Sequence, residues 1–131
     1  MTHLLDTDTC VGILRQRPGM VARLNQLSPN DCAVSQVTLY ELFCGAEKAQ
    51  DPARERQRVQ LFLSIIVELP FDRAAAEAAA RIRTDLERKG MVIGPYDLLI
   101  AGQALATNLT LVTGNVNEFQ RVTGLRLESW P

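Results

Sequence analysis

The stretch His3-Leu4-Leu5-Asp6-Thr7-Asp8-Thr9 decides the fold of this chain. A short apolar strand runs straight into a carboxylate, and the residues behind it favour a helix start. Open α/β sheets place their chemistry at such a point, the carboxyl end of a strand. If Asp6 occupies such an edge, the rest of the chain should supply more strands alternating with helices, and more polar groups at the same edge.

Cys32-Ala33-Val34-Ser35 reads as a buried strand behind the turn Ser28-Pro29-Asn30-Asp31. Residues 66–69 read as a third strand, residues 109–113 as the clearest one, and residues 126–128 as a closing edge strand. Between them lie helical patterns. Residues 9–17 form the first, broken by Pro18-Gly19 from a continuation carrying Met20, Leu24 and Leu27. Thr38 is expected to cap the next helix, with Glu41 three residues later completing a capping box. That helix should run to about Gln50, where Asp51-Pro52 ends it and opens another. Asp72 caps a long alanine-rich helix reaching Lys89, stopped by Gly90. Its alanines let another helix or a partner subunit approach closely. Residues 96–107 form an apolar helix with Asp97 in its first turn, and a short helix is expected over residues 118–122. This alternation predicts an α/β fold with a parallel sheet and helices on both faces.

The 131 residues fit one domain, 1–131, with an ordinary globular composition. No apolar run is long enough for a membrane span, and the N-terminus lacks the pattern of a signal peptide. Cys10, Cys32 and Cys44 are scattered and odd in number, so they read as buried hydrophobes in a reducing cytoplasm rather than as a disulfide or thiolate metal site. The net charge of −1 gives no general basic surface for nucleic acid. Twelve of the 14 basic residues are arginine, however, in clusters at 15/17/23, 54/56/58 and 81/83/88 with Lys89. Arginine suits phosphate, although solvated helix faces explain such clusters equally.

Three side chains share the edge that Asp6 defines. Glu41 lies just after the second strand and Asn115 just after the strand 109–113, so a parallel sheet turns all three into one crevice. Asp97 joins them if its helix start points the same way. Acids so gathered repel one another unless a divalent cation lies between them. They offer the hard oxygen ligands that Mg²⁺ or Mn²⁺ takes, and such an ion activates water and steadies a phosphoryl leaving group. The pattern therefore points to a small metal-dependent nuclease. Each acid also has a local explanation. Asp6 and Asp8 suit helix capping, Glu41 suits the capping box, and Asp97 suits the positive end of a helix dipole.

Other chemistries lack their parts. His3 is the single histidine and lies inside a strand, and no G-x-S-x-G, P-loop or G-x-G-x-x-G occurs. Asp6-Thr7-Asp8-Thr9 also resembles the D-x-D-x-T opening of haloacid-dehalogenase-type phosphatases, in which the first Asp is a nucleophile. That chemistry wants a lysine and a late pair of acids. The chain has only Lys48 and Lys89, and late in the sequence gives Tyr96-Asp97-Leu98.

Four ordered motifs carry a wider resemblance. They are Leu4-Leu5-Asp6-Thr7-Asp8; Val37-Thr38 through Glu41-Leu42 to Gly45; Ile93-Gly94-Pro95-Tyr96-Asp97-Leu98-Leu99-Ile100-Ala101; and Leu111-Val112-Thr113-Gly114-Asn115 with Glu118-Phe119. Together they resemble PIN-domain ribonucleases, most closely the VapC toxins of VapBC toxin–antitoxin modules. The ending, from Arg121-Val122-Thr123-Gly124-Leu125 to Ser129-Trp130, is similar too. The resemblance implies a Rossmann-like three-layer α/β/α sandwich, RNA cleavage with Mg²⁺ or Mn²⁺, a VapB-type antitoxin partner and a homodimer. It implies that Asp6 and Asp97 are the main metal ligands, and that Glu41 binds the metal or positions its water. The fourth acid of many relatives falls where this chain has Asn115, which leaves open a catalytically weak module that mainly binds antitoxin or RNA. Glu118 either substitutes for that acid or anchors the short helix. Asp8 either supports the acids or is a cap, and Thr7 and Thr113 either orient the acids through their hydroxyls or are ordinary strand-end residues.

Overall fold

Alternate residues of the central strands point to opposite sides, and this pleat divides the core in two. The computed structural model describes residues 1–131. Its five strands are β1 (His3–Leu5), β2 (Cys32–Ser35), β3 (Val67–Leu69), β4 (Thr110–Val112) and β5 (Leu127–Glu128). All pair in parallel in the order β3-β2-β1-β4-β5. Leu5, Val34 and Val112 face one layer of helices, α1 (Thr7–Leu14), α2 (Pro18–Asn25), α3 (Gln36–Glu47) and α4 (Pro52–Leu63). Leu4, Ala33 and Leu111 face the other, α5 (Arg73–Arg88), α6 (Pro95–Thr107) and α7 (Val116–Phe119). The result is the expected α/β sandwich, with β1 at the centre and apolar on both faces, as a covered parallel strand must be.

Local chemistry explains most boundaries. Asp51 and Asp72 cap α4 and α5, accepting from the amides of Arg54 and Ala75. Asn108 ends α6 in the left-handed conformation, φ 56°, a role for which asparagine is suited. The alanines of α5 are accounted for within the chain. Ala75, Ala78 and Ala79 are buried, and a Cβ added at Gly102 of α6 would stand 2.7 Å from the Ala79 Cβ. Two small residues thus let α5 and α6 pack nearly backbone to backbone.

Several expected helix ends shift by two or three residues, α1 starting at Thr7 and α7 at Val116, and the expected start of α3 is wrong. The cap of α3 is Ser35, whose hydroxyl accepts from the Val37 amide at 3.0 Å, and Thr38 lies fully buried inside the helix. The S/T-x-x-E spacing of Thr38 and Glu41 is therefore not a capping box. Because α3 begins immediately after β2, Glu41 moves into the second turn, released from any capping duty.

His3 is a structural residue, as its strand position suggested. Its Nε2 lies 2.6 Å from Glu128, which also receives Arg23 at 2.9 Å, tying β1 and α2 to the edge strand β5. Burial works to raise the Glu128 carboxyl, but these two partners outweigh it and hold it below its ordinary value. All three cysteines are free, and burial pushes the Cys10 and Cys32 thiols up, Cys32 to about 11.

Candidate active site

The strand order reverses between β1 and β4, which lie side by side although the chain leaves them in opposite directions. Their carboxyl ends form the crevice where such sheets bind ligands. Asp6 stands at that point. Its amide donates to Val112 of β4 at 3.0 Å, and its side chain caps α1 by accepting from the Thr9 amide at 2.8 Å. The capping and functional readings of Asp6 therefore coexist: only one oxygen, Oδ1, serves as the cap. The carboxylate is 3% exposed. Burial raises its pKa against hydrogen bonds from Thr113 and Thr9 that act to lower it.

Glu41 arrives from α3. Thr7 at the start of α1 donates its hydroxyl to Glu41 Oε1 at 2.7 Å, and Thr7 Oγ1 also lies 3.1 Å from Thr38 Oγ1. This leaves Oε2 of Glu41 without a protein donor. Asp97 sits half-buried in the first turn of α6, behind Gly94 and Pro95. Its carboxyl is pushed up to about 6, first by burial and then by the charges of Glu118, Asp6, Glu41 and Asp8. Asp97 Oδ2 and Glu118 Oε1 lie on the same side of Gly94, 3.5 and 4.0 Å from where a Cβ there would stand.

The turn after β4 carries the rest. Thr113 is fully buried and its hydroxyl accepts from the Asn115 amide at 2.9 Å. The Asn115 side chain donates to Glu118 Oε2, and Glu118 Oε1 accepts from the Gly94 amide at 2.9 Å. Glu118 thus fastens α7 to the loop that starts α6 and, among the charges acting on Asp97, has the largest effect. The sequence offered no sign of the Gly94 contact, which spans 24 residues. Asp8 is exposed.

None of these carboxylates takes part in an ion pair; the pairs that form engage Glu128, Glu55, Glu77, Glu87 and Asp85 instead. The neighbouring acids add to the burial that raises the Asp97 carboxyl, without a protein cation to offset them. This donor set, hard oxygens at a sheet edge with no Lys or Arg among them, fits a divalent cation. No three of them converge on one point at ligating distance.

Beside Glu41 runs a groove of about 320 Å³ between α1, α3 and α4. Val11, Leu14, Leu42 and Val59 give it an apolar lining, and Arg15 and Arg58 are its basic groups. Arg58 also pairs with Glu55, and three other arginines of the clusters have structural work. Arg23 and Arg83 are in ion pairs, and Arg56 lies over the Phe43 ring at 4.9 Å.

Known proteins share this fold. The PIN domain family matches residues 3–125. A Shigella flexneri protein named tRNA(fMet)-specific endonuclease VapC is 42% identical over 130 residues, covering 99% of this chain and 98% of its own length. Among solved structures, a DNA-bound VapBC from Salmonella typhimurium superposes with TM-score 0.96 at 39% identity, covering 100% of this chain and 99% of that one. VapBC2 from Rickettsia felis, bound to a promoter DNA fragment, gives TM-score 0.94 at 36% identity with complete coverage of both chains.

Proposed function

The chain belongs to the PIN domain family, and on that footing we propose that it is the toxin of a type II toxin–antitoxin module, a VapC-type endoribonuclease. The observation that supports this reading is the buried Asp6 carboxylate at the switch point of the sheet, with Glu41 and Asp97 carried by α3 and α6 and none of the three in an ion pair. Asp6 and Asp97 would hold a divalent cation, Mg²⁺ or Mn²⁺, with Glu41 beside them. When bound, that ion supplies positive charge against the phosphate oxygens and makes nearby water more acidic. The protein's own contribution is positional. Asp6 is fixed by the Thr9 amide and by its own amide's bond to Val112. Thr7 occupies one oxygen of Glu41 and leaves the other to accept from a water, aim it at phosphorus and take its proton. Asn115 gives its amide hydrogen to Glu118, which keeps its own oxygen available to the site while Glu118 anchors α7. Crowded acids raise the cost of the empty crevice and so strengthen its attraction for a cation.

The relatives' names extend the reading to a partner and a substrate. A VapB-type antitoxin is the expected inhibitor, and the groove beside Glu41, apolar with Arg15 and Arg58 along it, suits an extended segment of such a protein. RNA is the substrate class, with transfer RNA the first candidate, and a homodimer is the expected assembly. No helix of the chain is long and apolar enough to cross a membrane, which is compatible with action in the cytoplasm.

Induced expression in a bacterial host tests the proposal. Wild-type chain should arrest growth and leave new RNA 5′ ends at defined positions. Co-expression of the cognate antitoxin or the change Asp6→Asn should prevent both effects. Equal arrest by the Asp6→Asn variant, or arrest without RNA cleavage, would refute it.

A further inference from the structure

Tyr40 and Tyr96 are the exposed aromatic side chains of the molecule, 54% and 42% accessible, and they meet although they come from different helices. Their ring centroids are 5.6 Å apart at an interplanar angle of 60°, with the hydroxyl oxygens 3.5 Å from each other. Each is the immediate sequence neighbour of a site acid: Tyr40 precedes Glu41 on α3, and Tyr96 precedes Asp97 on α6. The two helices that carry these acids therefore also bring the rings together, each ring one residue from its acid. Neither ring belongs to the two buried core clusters, so folding does not require them.

We propose that Tyr40 and Tyr96 form a stacking platform that receives an unpaired base of the RNA next to the phosphate to be cut. This inference rests on the ribonuclease reading and narrows its substrate to single-stranded segments such as loops or bulges. The electrostatics favour it. The crevice is rich in carboxylates that no lysine or arginine neutralises, so it offers a polyanion little ionic attraction of its own. A neutral base face escapes that penalty, and aromatic rings bind every base by its π-face. Duplex RNA keeps its bases stacked inside, whereas loops and bulges can turn one out onto a protein ring. A second copy of the chain is the rival occupant. A two-fold contact centred on these rings would set one acidic crevice against the other, like charge facing like charge.

The test uses the full chain and an RNA hairpin that the wild type cleaves in its loop. Replacing both residues by Ala should raise KM about 10- to 100-fold, the range of lost base stacking, with kcat little changed. Phe at both positions should restore KM, and Leu should not. A single-stranded RNA carrying 2-aminopurine should show fluorescence quenching with wild type and with the Phe variant but not with the Ala variant. Normal cleavage by the Ala variant at unchanged KM would overturn the platform, as would rescue by Leu equal to that by Phe. Unchanged KM together with loss of a dimer in sedimentation would overturn it in favour of an interface between copies. If the wild type cleaves no RNA, the ribonuclease reading fails, and the quenching comparison still decides the platform on its own.

Discussion

Thr7 and Glu41 join the first helix to the third, with the threonine hydroxyl donating to the carboxylate at 2.7 Å. The bond fixes one oxygen of the acid and leaves the other without a protein donor. Thr38 lies against the same hydroxyl at 3.1 Å, so the donor itself is held in place.

Thr7→Val keeps the shape of the side chain and removes the donor. Glu41 should then lose its orientation, and RNA cleavage should fall about 10- to 100-fold, as for partners that orient metal ligands elsewhere. The melting temperature should change little, and Thr7→Ser should retain most activity. Full activity in the Val variant would show that Glu41 needs no such support.

Asp97 gives a pH-dependent signature in the metal-free protein. Its carboxyl stands near 6 in the folded state, against an ordinary value of 3.8. Between those values the folded chain binds more protons than the unfolded one. This group therefore lowers stability as pH rises through that window, and the loss persists above it. Asp97→Asn removes the penalty. In EDTA at pH 8 the variant should melt above wild type, with the difference vanishing below about pH 4, while RNA cleavage is abolished. A variant less stable than wild type at pH 8 would contradict the placement of Asp97 among uncompensated acids.

Gly45 lies one turn beyond Glu41 on α3, in the groove assigned to the antitoxin, and a Cβ there meets nothing within 4 Å. Gly45→Ala should stabilise the helix by about 0.5–1 kcal/mol. Gly45→Phe fills the groove instead. It should weaken antitoxin binding by about 10-fold or more, a loss of roughly 1.4 kcal/mol, with RNA cleavage retained. Calorimetry with the antitoxin checks it, and unchanged affinity would move the partner's site elsewhere.

The α5–α6 contact sets a packing test. An alanine at Gly102 would bring its Cβ to 2.7 Å from both the Cβ and the backbone nitrogen of Ala79. Gly102→Ala should destabilise by about 1–3 kcal/mol in urea unfolding. Ala79→Gly should not rescue it fully, because the nitrogen and Cα of residue 79 remain in the way. A neutral Gly102→Ala would mean that the helices are less closely packed.

Much of this architecture was legible in the residues. Asp6 marked the end of β1, and the caps Asp51 and Asp72 stand where composition placed them. The alternation of strand and helix patterns pointed to a parallel sheet covered on both faces, as found. The failure at Thr38 is instructive: Ser35 and Thr38 are both good caps, and only the sheet register, which ends β2 at Ser35, decides between them. That decision freed Glu41 to meet Thr7. The Glu118–Gly94 bond and the Tyr40–Tyr96 pair were hidden for another reason. Both join residues far apart in sequence, and no local pattern reports such a meeting.

Single-turnover cleavage of a loop-containing RNA by purified, antitoxin-free chain, with and without Mn²⁺, tests the central claim most directly. The account predicts rapid cleavage with the metal, none in EDTA, and none by folded Asp6→Asn under either condition. Cleavage that persists in EDTA, or in the Asp6→Asn variant at the wild-type rate, would contradict it.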